Sequence, residues 1–234
     1  LALYPEVSMA NAVWFLSGNS TSNFAQGVQT IYNGHIHHGG SVEEINKFAE
    51  THTRGKIKQI VNQKPNGPVV LVNAMYFKAN WLKKFDKRDT KTDKFYLANN
   101  QGTIDVPMMS MYYKKLLVAD HQDFTAVKLM YKGKKWSMLL FLPKVNQTLN
   151  KLKAALNSRV VNDLYFANKE VEMLTLPRFK AEYETVLNDA LKSMGADHMF
   201  QGGFTDMVAN ATDIHVESVF HRAVIEVNEE GTEA

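Results

Sequence analysis

The densest run of chemically competent side chains is His35-Ile36-His37-His38, followed by Gly39-Gly40. Imidazoles at this spacing can bind zinc or nickel. No carboxylate stands at ligand spacing inside the tract, so it is read as an exposed strand end or loop with incidental imidazoles. His221 lies within VESVFHRAVIEV. Residues two apart on a strand share a face, which sets His221 with Val219, Ala223, Ile225 and Val227. That surrounding describes a satisfied core histidine, not a base. Asn73 is comparable: it shares a face with Leu71, Met75 and Phe77, and a buried amide needs partners.

The chain has no cysteine, which removes disulfides, thiolate metal sites and cysteine nucleophiles. It also lacks a phosphate-cradling glycine loop, a G-x-S-x-G elbow and an H-E-x-x-H helix. These residues argue against an enzyme and call for no cofactor or metal. A metal enzyme using the histidine tract is the least favoured alternative.

With 234 residues, 45% apolar and 22% charged, the composition is that of a folded globular protein. No apolar run is long enough to span a bilayer. A formal charge of +3 makes no case for nucleic acid. Lysines gather at Lys83, Lys84 and Lys87 and at Lys132, Lys134 and Lys135. They are read as solvated strand ends and turns, with a polyanion site as the minor alternative. N-x-S/T triplets at Asn19, Asn146 and Asn210 are weak signs of secretion. The chain opens at Leu1 with no basic-then-apolar leader, and both a removed signal and a missing N-terminal segment stay open.

The elements that must position these side chains follow from periodicity. Ser8–Leu16 suits a buried strand, and Phe24–Ile36 is ambiguous between helix and strand. Ser41 and Glu44 form a capping box that starts a helix running to about Thr53. Ile57, Ile60 and Val61 predict a further helical turn before the Pro65-Asn66-Gly67-Pro68 loop. Val69–Phe77 reads as a central strand buried on both sides. Strands are expected at Lys94–Leu97, after the Asn99-Asn100-Gln101-Gly102 turn at Thr103–Met109, and at Lys115–Val118. Thr125–Tyr131 and Trp136–Leu142 form a hairpin around Lys132-Gly133-Lys134. Helices are expected at Thr148–Leu156, Ser158–Tyr165 and Tyr183–Met194, the last stopped by Gly195. Strands are expected at Lys169–Leu176 and His215–Val227. No repeat or linker interrupts the pattern, which reads as one mixed α/β (α+β) domain.

Several of these segments together resemble the serpin family. VLVNAMYFKANW (Val70–Trp81) is similar to its strand-and-breach signature, and FHRAVIEVNEEGTEA (Phe220–Ala234) to its hinge. VPMMS (Val106–Ser110), LPRFKAEYETVLNDALKSMGADHMF (Leu176–Phe200), SMANAVWF, RGKIKQIV and FLPK (Phe141–Lys144) fit in the family's order. The resemblance implies a single domain over residues 1–234, with three β-sheets and surrounding helices. It implies further sequence at both ends, including N-terminal helices, closing strands and a reactive loop whose scissile bond is not in this chain. It implies that Asn73 and His221 form a hydrogen-bonded shutter pair. Trp81 would mark the breach, and Arg178 would pair with Glu229 there. Glu229, Glu230, Gly231, Thr232, Glu233 and Ala234 would be the hinge.

The function implied is suicide-substrate inhibition of a serine or cysteine endopeptidase. The cleaved loop inserts into the central sheet while the protease is held as a covalent acyl-enzyme. The residues meet the demands of such a hinge. Gly231 supplies a permissive backbone. Thr232 and Ala234 share a face and are small, while Glu233 points to the other side. A non-inhibitory binding or chaperone protein on the same fold is the alternative. The resemblance further implies a monomer in the extracellular space, with the cytoplasm as the alternative. It leaves the target protease open, as it does a polyanion such as heparin.

Overall fold

The computed structural model describes residues 6–65, 67–98, 101–145, 147–204, 206–208, 214–216 and 219–234. Asn66, Asn99, Asn100, Asn146, Asn210 and residues 217–218 of the expected last strand lie outside them. In chain order the elements are β1 (Val7–Phe15), α1 (Ser22–Tyr32), β2 (His35–His38), α2 (Val42–His52), β3 (Val69–Asn80), β4 (Lys91–Tyr96) and β5 (Thr103–Asp120). There follow β6 (Phe124–Met130), β7 (Ser137–Pro143), α3 (Leu149–Ala155), α4 (Ser158–Asp163), β8 (Ala167–Pro177), β9 (Phe179–Val186), α5 (Asn188–Ser193), β10 (Phe220–Val227) and β11 (Gly231–Glu233). One sheet has the strand order β2-β1-β3-β11-β10-β9, and the other β4-β5-β6-β7 with β8 also on β5. Helices with sheets bear out the mixed α/β class. The chain divides into two compact units: residues 1–78, 181–225 and 234, and residues 79–180 and 226–233.

In the first unit, β1 runs antiparallel to β3, from Val7 opposite Phe77 to Phe15 opposite Val69, and parallel to β2. The capping box at Ser41 forms as expected: the Glu44 N–H donates to Ser41 Oγ at 3.2 Å, and the Ser41 N–H to Glu44 Oε2 at 2.8 Å. Helix α2 then buries Ile45, Phe48 and Ala49 against Ala10, Ala12 and Trp14 of β1, Val70 and Val72 of β3 and Val224 of β10. Each fully buried Val, Ile or Phe side chain contributes roughly 1.5–3 kcal/mol.

The helical turn expected at Ile57–Val61 does not form. The Asn46 side chain competes for that backbone, accepting from the N–H groups of Ile60 (2.8 Å) and Val61 (3.0 Å) and donating to the Val61 carbonyl (2.9 Å). Asn46→Ala leaves three backbone groups unpaired and should lower urea stability by about 2 kcal/mol. An unchanged midpoint would contradict that role.

One open reading is resolved and two further expectations are corrected. The ambiguous Phe24–Ile36 stretch divides, with α1 capped by Thr21 and ended at Asn33 in the left-handed region (φ 48). Tyr183–Met194 is not one helix: β9 continues to Val186 before the short α5. Arg222 of β10 reaches Glu182 at 3.3 Å and Glu184 at 3.5 Å, carboxylates that share a face only on an extended chain. Strand β3 is not buried on both sides, since its residues alternate buried and exposed. Val70 and Val72 meet α2, whereas Leu71, Asn73 and Met75 are exposed, Met75 at 58%. No described segment covers that stretch of the face.

In the second unit, β5 is one continuous 18-residue strand where two were expected. Its first half pairs with β4 and its second with β6, while β8 runs along its other side from Met108–Pro177 to Val118–Ala167. Through β5 the strands β4, β6, β7 and β8 form one hydrogen-bonded sheet, the second of two among the described residues. The β6–β7 hairpin forms. Phe124, Ala126, Ala119 and Leu152 make a core there.

Candidate functional site: strand β11 and the strands that flank it

After β10 the chain reverses over Asn228, whose Oδ1 accepts from the N–H groups of Glu230 (2.9 Å) and Gly231 (3.2 Å). Asparagine favours such turns because its side chain can satisfy backbone donors two and three residues on. Strand β11 then lies antiparallel on β10, with Val227 opposite Thr232 and Glu226 opposite Glu233. On its other flank, still in the second unit, the Trp81 N–H donates to the Glu230 carbonyl at 2.9 Å, and the indole Nε1 to the Asn228 carbonyl at 2.8 Å. Within the first unit, Phe77 and Ala234 exchange backbone bonds at 2.6 and 2.7 Å. Val69 bridges Val216 in parallel. Strands β3 and β10 therefore stand in one sheet with β11 between them.

The side chains of this turn are held as firmly as its backbone. Thr232 is 4% exposed, and its Oγ1 accepts from Tyr131 Oη at 2.7 Å. Tyr131 stacks on Trp81 with centroids 4.6 Å apart and planes 10° from parallel. Burial pushes the Tyr131 phenol up. Glu229 is 3% exposed and accepts from Arg178 Nη1 at 3.4 Å and Thr90 Oγ1 at 2.7 Å. Arg178→Ala would strip the nearest cation from this buried carboxylate. Because Arg178 is half exposed, the expected loss is about 1–3 kcal/mol, read from thermal melts; no shift in Tm would contradict the role.

Glu230 has a half-exposed side chain and carries ion pairs to Lys84 and, at 3.4 Å, Lys87. Lys84 first, then Lys87, holds its carboxyl below the usual range. A pKa lowered on folding means this contribution is present above the ordinary carboxylate range and lost as pH falls through the lowered value. Two lysines of the first basic cluster are thus engaged by the turn before β11.

Gly231 acts differently from the expectation. Its φ is not in the left-handed region, so backbone freedom is not what the position needs. A Cβ there would collide with the Ala79 carbonyl oxygen and lie 2.9 Å from its carbon and 2.8 Å from Asn80 Cα. The position needs space.

Of the residues singled out in the sequence, the second unit gathers Trp81, Arg178, Glu229, Glu230, Gly231 and Thr232. The direct Asn73–His221 bond is not what forms. Val72 and Val224 share one face through α2, so Asn73 and His221 share the opposite face, as the strand period requires. However, Asn73 Nδ2 donates to Asn11 Oδ1 at 2.7 Å, directly opposite it on β1. Strand β10 is not an immediate neighbour of β3. His221 is exposed, not the core histidine expected. The histidine tract forms β2: His37 stacks on Trp14 at 4.0 Å, and burial holds its pKa below the ordinary value. Among the described residues no three His, Cys, Asp or Glu side chains converge as metal ligands. Tyr131, Thr90 and Asn228 were not singled out in the sequence. Tyr131 and Thr90 meet the hinge across 101 and 139 positions and carry no local signal, whereas Asn228 carries a turn signal that the hinge likeness overshadowed.

The same chain, compared with known proteins, matches the family model described as Serpin (serine protease inhibitor) over residues 3–234. It is 34% identical to Serpin-Z3 of Arabidopsis thaliana over 215 residues, covering 82% of this chain and 54% of that protein. It is 36% identical to Serpin B3 of Homo sapiens over 204 residues, covering 83% and 52%. The solved structure of cleaved Serpin 42Da superposes with a TM-score of 0.86 at 30% identity, covering 99% of this chain and 66% of that one. The chain spans about half the length of the curated relatives it matches. The chain belongs to the serpin family.

Proposed function

We propose that this chain is the loop-receiving part of a single-domain, monomeric suicide inhibitor of serine or cysteine endopeptidases. The observation that carries the reading is β11: the hinge segment is hydrogen-bonded to β10 on one flank and to the end of β3 on the other. A sheet that already receives Gly231–Ala234 has the geometry to receive the loop that follows. In the proposed reaction, the protease nucleophile attacks a peptide bond beyond Ala234 and the amine leaves. Insertion then carries the acyl-enzyme away before water can release it. New strand hydrogen bonds and apolar burial drive the step. Glu229 to Ala234 serve as hinge. Trp81, Arg178 and Glu229 hold the breach, and Asn73 and His221 mark the shutter face. The extracellular space is the proposed location.

Full-length protein incubated with trypsin-like, chymotrypsin-like and papain-like proteases should yield a covalent complex that survives SDS. Cleavage of every loop-cutting protease's site without any complex would support the non-inhibitory binding or chaperone reading instead.

A further inference from the structure

We propose that the second unit carries a binding site for a small amphipathic anion, an apolar ring or chain bearing one carboxylate or sulfonate, and that its occupancy regulates the hinge. The site is a cavity of about 320 Å³, at the small end of the range for ligand pockets. Its walls are apolar, with Trp81, Leu82, Met111, Leu117 and Met130 among them. Four lysines, Lys83, Lys115, Lys128 and Lys134, also line it, and no acidic residue does. Apolar walls beneath several cations complement a ligand with an apolar body and an anionic head.

The lysines are positioned by more than chance exposure. Lys128 Nζ sits 4.5 Å from the centroid of the Phe166 ring. Lys83 Nζ donates to the Lys115 carbonyl at 2.8 Å. Among the described residues, Glu170, at 3.8 Å from Lys115, is the acid paired with the set.

The link to the hinge is short. Trp81 lines the cavity and also bonds Asn228 and Glu230, and it stacks on the tyrosine that holds Thr232. A ligand that fixes Trp81 tightens β11. Binding stands on the cavity alone, whereas its regulatory consequence rests on the inhibitor reading.

Calorimetric titration of the protein with decanoate, using decanol as the neutral control, tests the site. Saturable one-to-one binding is expected, with decanoate at least about fivefold tighter than decanol and a further loss of about fivefold in Lys128→Gln or Lys115→Gln. Both lysines are polar-headed wall positions, so the variants should fold; circular dichroism checks it. Equal affinity for decanol, indifference to both substitutions, or no saturable heat would overturn the site. Amide exchange at Gly231–Glu233 should slow when decanoate is bound, and unchanged exchange would overturn the coupling. Decanoate binding in a protein that traps no protease would uphold the site and refute the inhibitor reading.

Discussion

Arginine in place of Thr232 should turn the full-length protein from the proposed trap into a substrate, cutting the yield of SDS-resistant protease complex at least tenfold while cleaved protein accumulates. Thr232 is buried at 4% exposure under Tyr131. A guanidinium there gives up its hydration without a carboxylate partner, at an effective penalty of several kcal/mol. The penalty opposes holding residue 232 in the sheet, which the proposed insertion requires, and leaves the protease's chemistry untouched, so deacylation overtakes trapping. Every 1.4 kcal/mol changes the ratio of the two rates about tenfold. Thr232→Ser keeps the hydroxyl and should retain the complex. Undiminished complex from the arginine variant would mean that Thr232 is not buried when the loop inserts.

Valine at Gly231 should expel β11 from the sheet. The obstacle is the main chain of Ala79 and Asn80, which cannot rotate away as a side chain can. Overpacking costs about 1–3 kcal/mol even where side chains adjust. With an open hinge, a glutamate-specific protease should cut after Glu230 at least about tenfold faster than in the parent protein. Alanine should show the same effect in smaller measure. Equal cutting rates would contradict the close approach at this position. The argument differs from the one the sequence invites, since glycine at a hinge suggests freedom of rotation and here the requirement is clearance.

Features with a local cause were legible in the sequence. The Ser41–Glu44 capping box, the hairpin around Gly133 and the stop at Gly195 each depend on residues a few positions apart. The hinge expectation came from the family likeness of Phe220–Ala234, to which the small Thr232 and Ala234, two apart on one strand face, added support. Where the reading failed, distant contacts decided. Leu71 and Met75 suggested burial on both faces of β3, but burial depends on what lies over the sheet. Tyr183–Val186 has helical spacing, yet Arg222 on β10 holds its acidic neighbours in an extended strand. Asn73 found its amide partner in Asn11, whose register on β1 no local pattern encodes.

The main chain of Phe77 is where the account is most exposed. Native-state hydrogen exchange of the Phe77 and Ala234 amides measures whether the hinge is paired in the sheet. The account predicts that both are protected, with Phe77 exchanging as slowly as its β1-paired neighbours. If Phe77 and Ala234 exchange at the rate of an open loop, the sheet does not hold the hinge, and the proposed trap has no starting point.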